Sequence, residues 1–112
     1  MSVQKKMIND VAVLTPKGKL MGGPETTAIH DSVRELVEEG VTRIVLDMSK
    51  VKWLNSVGLG TIMASKTTLS NAGGELKLAA LQDKARGLFA ISKLDTVFKP
   101  YSSADRAAAD FQ

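Results

Sequence analysis

Trp53-Leu54-Asn55-Ser56-Val57-Gly58-Leu59-Gly60 joins a buried-looking run to a stretch of helical periodicity, and what lies on either side of it decides the fold. Upstream, residues 41–48 contain Ile44-Val45-Leu46, apolar without alternation, which is how a strand covered on both faces reads. Such a strand belongs in the middle of a sheet. Downstream, Leu59, Ile62, Met63 and Leu69 recur at helical spacing up to Gly73-Gly74, after which Leu76, Leu78 and Ala80 alternate as in a half-buried strand. Strand, helix and strand in succession predict a right-handed crossover between parallel strands.

Farther out, Met7, Val11 and Val13 have near strand spacing around the turn signal Asn9-Asp10, which predicts a hairpin. After Pro16-Lys17-Gly18 and Leu20-Met21, the run Gly22-Gly23-Pro24 is suited to open a helix, with Glu25 at its positive end. Ile29, Val33, Leu36 and Val37 would face the core of that helix, Asp31, Arg34, Glu35 and Glu38 would face away, and Gly40 would end it. Near the C-terminus, Asp83 is expected to cap a short helix to about residue 91 that buries Ala85, Leu88 and Phe89. Val97-Phe98 reads as a last short strand before Pro100. Ser102 with Asp105 resembles the opening of a final helix presenting Ala104, Ala107, Ala108 and Phe111 to the body. The order predicts one α/β domain over residues 1–112, a mixed β-sheet of about four to five strands with an N-terminal hairpin, packed by about four helices.

Composition narrows the function classes. A chain of 112 residues suits one core and buries roughly two thirds of its unfolded surface, so it needs no metal or covalent staple. No cysteine is present, which removes thiolate zinc sites, disulfides and cysteine nucleophiles. The first residues lack the apolar stretch of a secretory signal, and apolar runs such as residues 11–14 are too short for the roughly 20 residues that span a bilayer, so no membrane insertion is expected. Fifteen basic and twelve acidic residues are spread along the chain without aromatic interleaving. That pattern is a solvated surface rather than a nucleic-acid footprint.

Ser56 is a natural N-cap, and Gly58 and Gly60 leave the surface beside it nearly bare. On spacing alone two readings stand. In one the serine only caps and the glycines only permit close packing. In the other a phosphate on Ser56 sits among unsatisfied N–H groups at the positive end of the helix and adds a charge of about −1.5 to −2 to an apolar surface.

The chain resembles STAS domains, specifically the bacterial anti-sigma factor antagonists, whose Asp-Ser-Ser/Thr-Gly-Leu-Gly signature follows a buried strand as Asn55-Ser56-Val57-Gly58-Leu59-Gly60 does here. The resemblance runs from Gly18-Lys19-Leu20 through Ile44-Val45-Leu46 to Gly73-Gly74-Glu75-Leu76 and Leu88-Phe89. It implies a cytoplasmic partner-switching cycle. The unmodified antagonist binds an anti-sigma factor that is also a serine kinase of the ATP-binding histidine-kinase-like fold, freeing the sigma factor. The kinase then phosphorylates the signature serine, here Ser56, and a metal-dependent serine phosphatase restores the binding form. The implied partner surface is Met21, Gly22, Asn55, Ser56, Val57, Gly58, Leu59 and Gly60, with no active site, cofactor or metal of its own. Three positions depart from the pattern. Asn55 replaces the family aspartate, Val57 replaces the second hydroxyl and leaves Ser56 as the one acceptor in the motif, and Met21-Gly22-Gly23 stands where many members have an acidic residue after the leucine, implying a more apolar partner surface.

Enzyme readings have weak candidates. His30 is the single histidine and reads as a packing or solvent-facing residue. Gly58-Leu59-Gly60 lacks the third glycine of a dinucleotide fingerprint, and no Gly-Lys-Ser/Thr phosphate loop occurs. Asp47 ends a strand without an evident acid or base partner, and Trp53 reads as a core or packing residue. The alternative that keeps the fold is a non-enzymatic STAS subunit of a lipid-transport complex or a signalling scaffold.

Overall fold

The computed structural model describes residues 3–111. Its elements run β1 (Gln4–Ile8), β2 (Val11–Thr15), β3 (Gly18–Leu20), α1 (Pro24–Glu38), β4 (Arg43–Asp47), β5 (Val51–Leu54), α2 (Ser56–Asn71), β6 (Glu75–Ala79), α3 (Asp83–Ile91) and α4 (Ala104–Ala109), with a 3-10 turn at Leu94–Thr96 before the last helix. Asn9 takes the left-handed conformation (φ 57°) that closes the hairpin, and β1 pairs antiparallel with β2 with Lys6 opposite Val13. The sheet order is β1-β2-β4-β6, with β2, β4 and β6 parallel. The apolar run of β4 is therefore central, as its lack of alternation predicts.

Register decides which face each residue serves. Ile44 and Leu46 pack with Leu14, Leu78, Ile29, Val33, Ile62, Leu69 and Phe89 under α1, α2 and α3. Val45 points the other way, with Val11, Val13 and Ala79, onto Ala107 and Ala108 of α4. Each large side chain buried in this way contributes about 1.5–3 kcal/mol relative to exposure.

Four details differ from the sequence expectation. Short β3 and β5 pair with each other in a separate parallel ribbon that no periodicity announced. Val97-Phe98 is not a strand. Lys93 turns left-handed (φ 60°), the chain enters the 3-10 turn, and Phe98 is buried edge-on to Phe89 at 6.1 Å between ring centroids. Tyr101 takes the strand-like role instead, its N–H donating to Leu78 O and its carbonyl accepting from Ala80 N. Caps also shift by one residue. Gln82 rather than Asp83 precedes α3, and Ser103 rather than Ser102 caps α4, its Oγ accepting from Arg106 N at 3.2 Å. Ala80, with φ 58°, lies just beyond β6.

Candidate functional site

The start of α2 is built by the ribbon that leads into it. Strand β5 continues in extended geometry to Asn55 (φ −120°, ψ −174°), whose N–H reaches Leu20 O of β3 at 3.4 Å. Asn55 Oδ1 then accepts from both Val57 N and Gly58 N at 3.0 Å. Asn55 is thus the N-cap, and Ser56 is the first helical residue rather than the cap that the sequence suggested. Serine and asparagine are nearly equal caps in isolation, and the strand geometry arriving at residue 55 makes the choice. The Asn55 amide also donates, at a long 3.5 Å, to Met21 O, a bond that an aspartate could not offer.

This cap changes the electrostatics of the pole. The Val57 and Gly58 N–H groups that would cradle a phosphate are already engaged by Asn55. A phosphate on Ser56 would have to compete with Asn55 for them. The Ser56 side chain is exposed, and its hydroxyl has no hydrogen-bond partner among the described residues. The first turn of α2 carries no acidic residue.

The two glycines of the motif serve different ends. Gly58 is buried, and a Cβ there would lie 2.0 Å from Leu20 O, so only glycine lets β3 rest on the helix. Gly60 is exposed, and a Cβ on it would meet nothing within 4 Å. Gly22 holds a left-handed φ of 107°, with Val57 Cγ1 3.4 Å from where its Cβ would be. Met21 (48% exposed), Gly22, Ser56, Val57 (53% exposed) and Gly60 remain at the surface. Gly58 and Leu59 are buried beneath them and support the surface without forming it. A shallow groove of about 430 Å³ adjoins Gly22, Gly23, Pro24 and Thr27.

Trp53 is not a core residue. It is 44% exposed, and Lys84 Nζ of α3 sits 3.2 Å from its ring centroid. Sequence reasoning missed this because the strand that carries it was not recognised. The enzyme candidates have structural roles. His30 Nε2 is 2.8 Å from Thr68 Oγ1, tying α1 to α2, and Asp47 Oδ1 accepts from Ser49 N at 3.0 Å in the turn after β4. Among the described residues no three His, Cys, Asp or Glu side chains group closely enough to hold a metal ion, and no helix is long and apolar enough to cross a membrane.

Comparison with known proteins agrees with this architecture. A protein of Bordetella bronchiseptica named "Putative anti-sigma factor antagonist BtrV" is 33% identical over 76 residues, covering 68% of this chain and 66% of the relative. An anti-sigma factor antagonist from Mycobacterium paratuberculosis superposes with a TM-score of 0.80 at 24% identity, covering 96% of this chain and 91% of that one. SpoIIAA in its unphosphorylated form superposes at 0.82 with 18% identity over 97% of this chain and 95% of that one. The phosphorylated Bacillus form gives 0.77 with 18% identity over 98% and 99%. With the family model described as the STAS domain matching residues 2–107, and the ribbon, capped helix and serine pole in place, the chain belongs to the STAS domain family.

Proposed function

We propose that this chain is a cytoplasmic anti-sigma factor antagonist, switched by phosphorylation of Ser56. In its unmodified form it binds an anti-sigma factor that is also a serine kinase, and the sigma factor is released. Phosphorylation of Ser56 ends that binding, and a metal-dependent serine phosphatase resets it. The chain acts as ligand and substrate without an active site of its own.

The observation that carries this reading is the exposed Ser56 hydroxyl at the start of α2, without a hydrogen-bond partner among the described residues, with Met21, Gly22, Val57 and Gly60 also exposed at the surface. Because Asn55 already satisfies the neighbouring donors, modification disturbs no bond that holds the fold. The added charge of about −1.5 to −2 would have to be desolvated by any partner lying on the pole. The names of the relatives and the existence of SpoIIAA in both phosphorylation states support the same assignment.

Incubation with an anti-sigma serine kinase and ATP should add one phosphate, at Ser56 by mass spectrometry, and Ser56→Ala should abolish it. Label that persists in the alanine variant defeats the assignment. Ser56→Ala should still bind the kinase, while Ser56→Asp should bind at least ~10-fold more weakly, a loss of about 1.4 kcal/mol. A chain that takes no phosphate from any such kinase would instead point to the transport-subunit or scaffold reading, which needs the same face and no phosphate cycle.

A further inference from the structure

We propose that the partner's contact extends from the serine pole onto Trp53, and that the surface it fits is an apolar pocket rimmed by carboxylates. The inference rests on the antagonist reading and adds the chemistry of the partner.

Trp53 is the chain's one tryptophan and stands 44% exposed on β5, with its Cα paired to that of Lys19 on β3. Lys84 lies over one face of the indole at 3.2 Å from the centroid, an attraction that holds the ring in place before any partner arrives. A large side chain already ordered loses little freedom on binding, which is the property of the aromatic anchors that dominate interfaces. The apolar surface continues from there toward Ser56. The next rung of the ribbon, Leu20 with Leu54, turns into the core, while beyond it the Asn55 amide reaches Met21 O and Val57 packs beside Gly22, so exposed Met21 and Val57 lie between Trp53 and the start of α2.

Charge sets the partner's chemistry. Lys19, paired with Trp53 across the ribbon, and Lys84, over its ring, are exposed beside this path, and neither forms an ion pair among the described residues, while Asp83 is the one carboxylate adjacent to them in sequence. A basic partner would be repelled by this rim, and one bearing carboxylates would be steered onto it. The same arrangement gives phosphorylation its effect. With the Val57 and Gly58 donors taken by Asn55, the charge of a phosphate on Ser56 is not neutralised by them and would meet those carboxylates in the contact. Like charges meeting across a desolvated contact drive release.

The single tryptophan makes the test direct. Chain labelled with 5-fluorotryptophan gives one fluorine resonance, to be followed while an anti-sigma serine kinase from the same genome is added, with affinity measured in parallel by calorimetry. The resonance should move and saturate together with the heat. Trp53→Ala should weaken binding at least ~10-fold, and Lys84→Glu, an exposed change that leaves the core untouched, should weaken it as well. Raising ionic strength should weaken the unmodified chain more than Lys84→Gln. Tight binding with an unmoved resonance and full affinity in both Trp53→Ala and Lys84→Glu would overturn this inference and leave the antagonist role standing. Failure of the unmodified chain to bind any such kinase would bring down both.

Discussion

The two faces of the main sheet handle charge in opposite ways. Under α1, α2 and α3 the sheet meets an apolar core that ends, at the start of α2, in an uncharged surface of Met21, Gly22, Ser56 and Val57. Under α4 the same sheet carries a charged residue on its edge strand. Lys77 is only 10% exposed, and its ammonium reaches Glu75 at 3.1 Å, Tyr101 at 3.3 Å and Asp110 at 3.7 Å while lying over the rings of Phe111 and Tyr101. Burial alone would lower the Lys77 pKa, and the hydrogen bonds to Tyr101 and Glu75 outweigh it, so the pKa stands above the usual lysine value. One face compensates its charge internally. The other ends, at the start of α2, in a first turn that carries no acidic residue.

The largest effect should come from the start of α2. Gly58→Ala puts a methyl 2.0 Å from Leu20 O and 2.8 Å from Leu54 Cδ1, so β3 must move, at a cost of about 3 kcal/mol or more. Gly60→Ala, two residues on, meets nothing within 4 Å and should raise stability by about 0.5–1 kcal/mol. Chemical denaturation of the two variants compares them directly. Equal effects would mean that the ribbon does not rest on α2 as described.

The charged face should respond less. Lys77→Ala removes a stem packed against Tyr101 and Phe111, but the carboxylates it leaves behind are more than half exposed and stay hydrated. A loss of about 1–2 kcal/mol is expected, with Lys77→Met recovering part of it by restoring the stem. Hydrogen exchange should place the loosening in α4 (Ala104–Ala109). Faster exchange in α2 instead would show that the faces are not separate.

The sequence made the main sheet legible because its signals are local. Ile44-Val45-Leu46 announced a central strand, Asn9-Asp10 a hairpin, and Ile29, Val33 and Leu36 the buried side of α1, and each holds. The β3–β5 ribbon was illegible because three or four residues carry no usable period, and they become strands only by finding each other across some thirty positions. That omission hid the site's most informative geometry. Without β5, Trp53 had no exposed face to occupy, and without the extended residue 55 nothing separated Asn55 from Ser56 as the cap. The Val97-Phe98 expectation failed for a related reason, since burial of Phe98 against Phe89 is a tertiary contact that looks like a strand in sequence.

The smallest expected effect separates the two faces by pH. His30 bridges α1 to α2 through Thr68, and its pKa lies below the ordinary 6.5, first because burial disfavours the charged ring and next because Arg34 repels it, with Asp31 opposing. The folded chain therefore prefers the neutral ring, and its contribution is whole above pH 6.5 and is lost as pH falls through the lower folded value. On the other face Asp110 accepts the Tyr101 hydroxyl hydrogen bond, which holds its pKa below the usual 3.8, aided by the charges of Lys77 and Lys99. Its contribution is whole above that value and is lost only in stronger acid. Acidification should accordingly loosen the α1–α2 contact first and the α4 contact later, as read by amide exchange in each helix across the titration. His30→Gln should flatten the first step and leave the second. Simultaneous loosening of both helices in the unmodified chain would mean that the sheet couples its faces, so that charge compensated on one side is felt on the other.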